Sequence, residues 1–166
     1  EAGKPVEELE RELGISNIIK LASNENPLGP SAKAMDAVRA VLADTTRYPD
    51  SSGFGLKRAL HQYYGVTVDQ LTLGNGSNDV LELIARAFLN VGDEVVFSEY
   101  AFAVYPIVTQ ACGATAVVTP AHAYGHNLQA MADAITDRTR VLFIANPNNP
   151  TGTVLLRDEL VAFLDS

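Results

Sequence analysis

Apolar positions follow two rhythms along this chain. Up to Gly65 they recur at helical spacing between polar, turn-rich stretches, and beyond it they gather into short runs separated by helix-length segments. Pro5 to Leu13 reads as a short polar helix. Ile18 to Pro30 reads as an extended arm in which Ser23-Asn24-Glu25-Asn26-Pro27-Leu28-Gly29-Pro30 carries turn chemistry. Ser31 is placed to cap a helix running to about Ala43, with Ala34, Val38, Val41 and Leu42 on one face. Arg47 to Gly53 is a loop, and Leu56 to Tyr64 a helix closed by Gly65. From there strands and helices alternate. Strands are predicted at Gln70–Leu73, Glu94–Phe97, Thr115–Val118 and Val141–Ala145, and helices at Asn78–Leu89, Ala103–Cys112, Leu128–Ile135 and Arg157–Leu164.

Strands joined by helices of this length pair in parallel and are covered on both faces. The expected class is therefore α/β, a three-layer α/β/α sandwich around a mostly parallel sheet, preceded by a helical and extended N-terminal arm. In open parallel sheets ligands lie beyond the carboxyl ends of the strands. That directs attention to the loops after Leu73, Phe97 and Ala145.

Composition narrows the picture. The apolar fraction of 47% and charged fraction of 19% describe a folded globular chain. No apolar run approaches the ~20 residues that cross a bilayer as a helix. Cys112 is the single cysteine, so no internal disulfide framework exists, and it reads as a core residue. A reducing cytoplasm is the default expectation. The formal charge of −8 argues against nucleic acid, yet one local anion site can still be made from backbone amides. The chain begins without methionine and stops within a predicted helix, which suggests a fragment.

Gly74-Asn75-Gly76-Ser77-Asn78-Asp79 joins a strand to a helix. Its glycines permit close backbone approach and its end supplies free helix N-terminal amides, so Gly76, Ser77 and Asn78 could cradle a phosphate. An ordinary β–α turn capped by Ser77 or Asn78 would need the same residues. A dinucleotide fingerprint fails because Asp79 stands where its third glycine belongs. After the next strand, Phe102 could lie against a planar ring, while Tyr105, already in the helix, reads as core. In Asn146-Pro147-Asn148-Asn149-Pro150-Thr151-Gly152 two prolines and a glycine constrain the backbone, and the Asn149 amide could donate to an anionic phenolic oxygen. His122 and His126 lack a metal-site pattern, because Pro120 and Gly125 oppose a helix there. His61 reads as structural.

The Asn146–Gly152 segment resembles the N-P-x-N-P-T-G motif of fold-type I, pyridoxal 5'-phosphate (PLP)-dependent aminotransferases. Lys20-Leu21-Ala22-Ser23-Asn24-Glu25-Asn26-Pro27-Leu28-Gly29-Pro30-Ser31 is similar to the N-terminal signature of histidinol-phosphate aminotransferases. Arg47-Tyr48-Pro49-Asp50, the Gly74–Asp79 turn and Tyr100-Ala101-Phe102-Ala103-Val104-Tyr105 follow in the same order. The similarity runs from about Gly3 onward and corresponds to the first half of a family member. Residues 1–30 would be an arm and residues 31–166 an incomplete large PLP-binding domain.

The resemblance also implies roles. Gly76, Ser77 and Asn78 would hold the PLP phosphate. Phe102 would stack on the pyridine ring, where many relatives carry tyrosine. Asn149 would hydrogen-bond the PLP 3'-oxygen. Tyr48 would reach the cofactor phosphate of a partner subunit in a homodimer. Asn24 and Asn26 would lie over the substrate pocket. The implied reaction is transamination of L-histidinol phosphate with 2-oxoglutarate in histidine biosynthesis, in the cytoplasm, without metal. An aromatic amino-acid aminotransferase or a threonine-phosphate decarboxylase would look similar in this half, and a non-catalytic truncated domain is the alternative from another class. The Schiff-base lysine that PLP chemistry needs is expected beyond Ser166, since none of Lys4, Lys20, Lys33 and Lys57 sits at a strand end beside the expected site. On this reading the chain alone does not transaminate.

Overall fold

The computed structural model describes residues 4–21 and 23–166. Residues 1–3 and residue 22, which belong to the expected arm, lie outside the described residues. Two compact units divide the chain, Glu1–Ser52 and Gly53–Ser166.

In the first unit, α1 (Val6–Leu13) ends at Gly14. Lys4 pairs with Glu8 and Glu12 along its polar side. The turn at residues 26–29 is closed by Asn26, whose Oδ1 accepts the Leu28 amide (3.0 Å) and whose Nδ2 donates to the Gly29 carbonyl (3.2 Å). Ser31 caps α2 (Ala32–Val41) by accepting the Ala34 amide at 3.2 Å, as its position predicts. A 3₁₀ turn, Leu42–Asp44, follows. Neither helix buries a residue.

The second unit opens at Gly53, whose left-handed backbone favours glycine. Its φ is +61°, and a Cβ there would fall 2.3 Å from a Leu73 methyl. Helix α3 (Phe54–Tyr64) begins two residues before the expected start and closes at Gly65. The strand expected at Gln70–Leu73 does not form. Gln70 instead ends a 3₁₀ turn, Val68–Gln70, held by the Thr67 amide on Gln70 Oε1 (2.9 Å) and the Gln70 amide on the Thr67 carbonyl (3.0 Å). That local closure takes the would-be strand's first residue, and residues 71–73 pair with no strand among the described residues.

The rest follows the predicted alternation: α4 (Ser77–Phe88), β1 (Glu94–Ser98), α5 (Val104–Ala111), β2 (Thr115–Thr119), α6 (Leu128–Asp133), β3 (Thr139–Leu142) and α7 (Arg157–Leu164). The described sheet has the order β2-β1-β3, with both pairings parallel. Strand β3 starts two residues earlier than expected, because Thr139 pairs with Glu94 at the head of β1. Its ladder carries one bond further, from the Phe143 amide to the Val96 carbonyl (3.0 Å), before the chain leaves the sheet.

This order positions the site. Parallel crossovers are right-handed in nearly every case. The chain steps from β1 to β2 in one direction and then returns past β1 to β3. The reversal places α5 and α6 on opposite faces and opens a crevice at the carboxyl ends of β1 and β3. Every residue of β1 is buried, as a strand covered on both faces must be. Val95 and Phe97 join Ala85, Tyr105, Val108 and Phe143 in the core on the α4–α5 side. Alternation turns Glu94, Val96 and Ser98 to the other face, where α6 packs on β1 and brings the fully buried Met131. Cys112, expected in the core, is half-buried at its margin.

Glu94 is a carboxylate buried at the foot of the sheet. The Thr136 hydroxyl donates to it at 2.6 Å, Arg138 forms an ion pair with it, and its own amide donates to the Arg138 carbonyl at 2.9 Å. The Thr136 hydroxyl, opposed by burial and helped by the Arg138 guanidinium, holds this carboxyl below the ordinary value near 4.5. A carboxyl lowered by folding adds stability above its unfolded value and loses it as pH falls through the folded one. Glu94→Gln should therefore lower the urea midpoint at pH 7. The gap to the parent should close as pH is taken below about 4.5, and a gap that persists unchanged in acid would count against this role.

Candidate active site

Two loops leave the carboxyl ends of β1 and β3, a third leads into α4, and residues of all three meet. Ser77, Phe102 and Asn149 line one cavity of about 410 Å³. Val80, Leu81, Tyr105 and Ala145 complete its wall. The volume lies in the range of small-molecule sites.

The first loop delivers a helix N-terminus. Gly76 is the N-cap of α4 with φ +86° and ψ 173°, a conformation that favours glycine, and no side chain caps the helix. The expected caps, Ser77 and Asn78, are instead its first two helical residues. The first amides of a helix have no intrahelical partner and carry the positive end of its dipole. Asp79 would spoil such a site if it faced the cavity. Its Oδ2 instead accepts the Asn75 amide at 3.0 Å, folding the carboxylate back on the loop. Asn78 lines a neighbouring depression of about 410 Å³ with Asn75, Asp79 and Glu82 rather than the cavity shared by Ser77, Phe102 and Asn149.

The second loop delivers a ring on a fixed support. Half-buried Phe102 meets Tyr105 edge-on, with centroids 6.0 Å apart at 85°. Tyr105 stacks on Phe143 at 4.4 Å and 7°. Burial pushes the Tyr105 phenol up, so it stays protonated and neutral. Tyr105 thus serves both as core, as its helical position predicts, and as part of the cavity wall.

The third loop divides labour among its asparagines. Asn146 exchanges two hydrogen bonds with Leu155, Nδ2 to carbonyl (3.0 Å) and amide to Oδ1 (2.9 Å). Asn148 is buried; its Nδ2 donates to the Tyr100 carbonyl and to Thr151 Oγ1, both at 2.8 Å, and its amide donates to the Thr153 carbonyl at 2.8 Å. The peptide bonds preceding Pro147 and Pro150 are cis. With its neighbours committed to bracing, half-buried Asn149 is the one asparagine of the loop that lines the cavity, and its side chain has no hydrogen-bond partner among the described residues. The bracing roles of Asn146 and Asn148 escape sequence reasoning. Their only signal is the unusual density of asparagine between prolines.

The remaining candidates lie in the first unit. Tyr48 is fully exposed and lines a shallow depression with Arg47 and Pro49. Asn24 holds a left-handed backbone with φ +52°. Asn26 uses both ends of its amide inside its own turn.

A model of the aminotransferase class I and II family matches residues 16–166. The chain belongs to that family. It is 65% identical over 164 residues to histidinol-phosphate aminotransferase 2 of Pseudomonas fluorescens, covering 98% of this chain and 44% of that protein. It is 61% identical to the protein of the same name from Pseudomonas aeruginosa, again over 98% and 44%. Among solved structures it is similar to histidinol-phosphate aminotransferase from Sinorhizobium meliloti in complex with pyridoxal-5'-phosphate, with a TM-score of 0.91 and 26% identity over 98% of this chain and 44% of that one. The chain thus spans somewhat under half the length of these members of the family.

The bracing role of Asn148 is open to a direct check. Asn148→Ala removes two side-chain donations made out of reach of water, at an expected cost of about 1–3 kcal/mol. Denaturant titration should show the loss, and Thr151→Ala, which removes one acceptor, should cost less.

Proposed function

We propose that the whole protein of which this chain forms part transfers the amino group of L-histidinol phosphate to 2-oxoglutarate, using PLP, in histidine biosynthesis. The observation that carries the reading is the convergence of Ser77, Phe102 and Asn149 on one cavity, three groups suited to three parts of one cofactor. Similarity of 55–65% to histidinol-phosphate aminotransferases along almost the entire chain supports the substrate.

The residues present fit PLP. The cavity lining carries no carboxylate, Asp79 is folded away, and an uncapped helix start suits a dianionic phosphate. The amides of Gly76, Ser77 and Asn78 with the Ser77 hydroxyl would hold that phosphate. Phe102 would flank the pyridine ring, kept in place by Tyr105. Asn149 Nδ2 would donate to the phenolic oxygen and keep it anionic. When bound, PLP supplies a carbonyl to carry the amino group and an electron sink that acidifies the adjacent carbon. No lysine lines the cavity, so the Schiff-base lysine, the acidic partner of the ring nitrogen and the substrate-binding arginines are assigned to the part of the protein outside this chain.

Tyr48 is assigned to the partner subunit's cofactor phosphate in a homodimer. Its full exposure within its own unit leaves it available for such a contact. Of the two arm asparagines, Asn24 is the better candidate for substrate, because Asn26 already uses its amide. The proposed location is the cytoplasm.

Phosphate release from L-histidinol phosphate plays no part in this reaction, and glutamate formation from 2-oxoglutarate tests it directly in the whole protein. Carbon dioxide release without an oxo acid would instead identify a decarboxylase. Within the site, Phe102→Ala should weaken PLP binding by about 0.5–1.5 kcal/mol, and Phe102→Tyr should retain it. Borohydride reduction after incubation with PLP should leave a stoichiometric adduct at one lysine of the whole protein and no specific adduct on the 17.8 kDa chain alone.

A further inference from the structure

A histidine outside the cavity is tied to its wall. His126 is buried, and its Nε2 lies 2.9 Å from the Ala145 carbonyl. A carbonyl can only accept, so Nε2 is the donor in this contact. The second nitrogen, Nδ1, is buried with no partner. An apolar side chain in the same place would remove that unpaired nitrogen but leave the Ala145 carbonyl without its donor. What the imidazole contributes is therefore the Nε2–H, and its target is the last residue before Asn146-Pro147-Asn148-Asn149, itself part of the cavity wall.

The segment that presents His126 is costly to build. His122 and Gly125 exchange both backbone hydrogen bonds, at 3.1 and 2.8 Å, around Ala123 (φ +48°) and Tyr124 (φ +63°). Two consecutive left-handed residues make a turn suited to asparagine and glycine, and alanine and tyrosine are strained in it. The surroundings hold it in place. The Tyr124 ring packs on Tyr100 at 5.3 Å, and a Cβ on Gly125 would sit 3.1 Å from Thr153 Oγ1. On the other side Asn127 caps α6 through the Ala130 amide. Tyr100 and Thr153 are the same residues whose carbonyls anchor Asn148. Strain maintained in this way marks a functional constraint more often than a packing accident.

We infer that His126 is a positioning residue: its Nε2–H, donated to the Ala145 carbonyl, sets the backbone that aims the Asn149 amide into the cofactor cavity. The inference rests on the reading of Asn149 as the donor to the PLP phenolic oxygen. Asn146 and Asn148 hold the stretch between Ala145 and Asn149 through their side chains, and His126 holds its entry at Ala145. With that bond removed, the entry at Ala145 can shift and Asn149 is aimed by the Asn146 and Asn148 anchors alone.

The test uses the whole protein with PLP, and compares His126→Leu, His126→Gln, Asn149→Ala and the double variant His126→Leu/Asn149→Ala. Glutamine places an amide donor near the Nε2 position, and leucine keeps volume without a donor. Expected results are a roughly tenfold weaker PLP affinity for His126→Leu, an altered visible circular dichroism band of the bound cofactor, and recovery of both in His126→Gln. The double variant should bind no more weakly than Asn149→Ala, because both changes remove one donor–acceptor contact. If His126→Leu does not fold, His126→Asn, polar but too short to reach Ala145, takes its place with the same expectations. Unchanged affinity and spectrum in the donorless variant, or losses that add fully to those of Asn149→Ala, overturn the inference while the cofactor reading stands. Unchanged affinity in Asn149→Ala itself overturns that reading instead.

Discussion

Strand β1 is the constraint on which the second unit depends. It pairs in parallel on both edges, with β2 and with β3, and buries both faces. A strand so placed favours apolar residues or matched polar groups. Val95, Val96 and Phe97 supply the first and Glu94, locked to Thr136 and Arg138, the second, while the buried Ser98 hydroxyl at its carboxyl end has no partner among the described residues. Once β1 is central, the reversal from β2 back to β3 follows, and with it the crevice at the carboxyl ends. The residues argued to hold the cofactor need not be close in sequence, because the sheet brings their loops together.

The Asn146–Gly152 segment shows how a loop can be made as well fixed as a strand. Two prolines lack amides and cannot be tied into a ladder. Side-chain amides supply the missing bonds: Asn146 imitates a strand neighbour for Leu155, and Asn148 reaches into the preceding loop. This commitment leaves Asn149 able to face outward. The contact proposed for Asn149 and the bracing by Asn146 and Asn148 use identical side chains, separated only by their surroundings.

Much of this was legible in the sequence. Helix α7 falls at its predicted bounds and α2 begins at its predicted cap, because periodicity and capping are local signals. The strand expected at Gln70–Leu73 was lost to another local signal, the Thr67–Gln70 closure, that competes for the same residue. The shift of β3 had no local signal at all, since its start is set by pairing with Glu94. At the site, Phe102 and Asn149 could be named because each follows a strand, and Ser77 because a glycine turn leads into its helix. Asn148 and His126 could not, because their partners, Tyr100 and Ala145, lie 48 and 19 residues away.

The column of rings from Phe143 through Tyr105 to Phe102 has a thermodynamic consequence. A side chain that must be ordered by its ligand lowers affinity by the rotamer freedom it gives up at that moment. Phe102 rests on a phenol that is itself stacked on the core, so most of its freedom is already gone when the chain has folded. Its contact with a flat ligand can then appear almost undiminished as affinity. The entropy is lost once, during folding, and is drawn from the same core that stabilises the sheet.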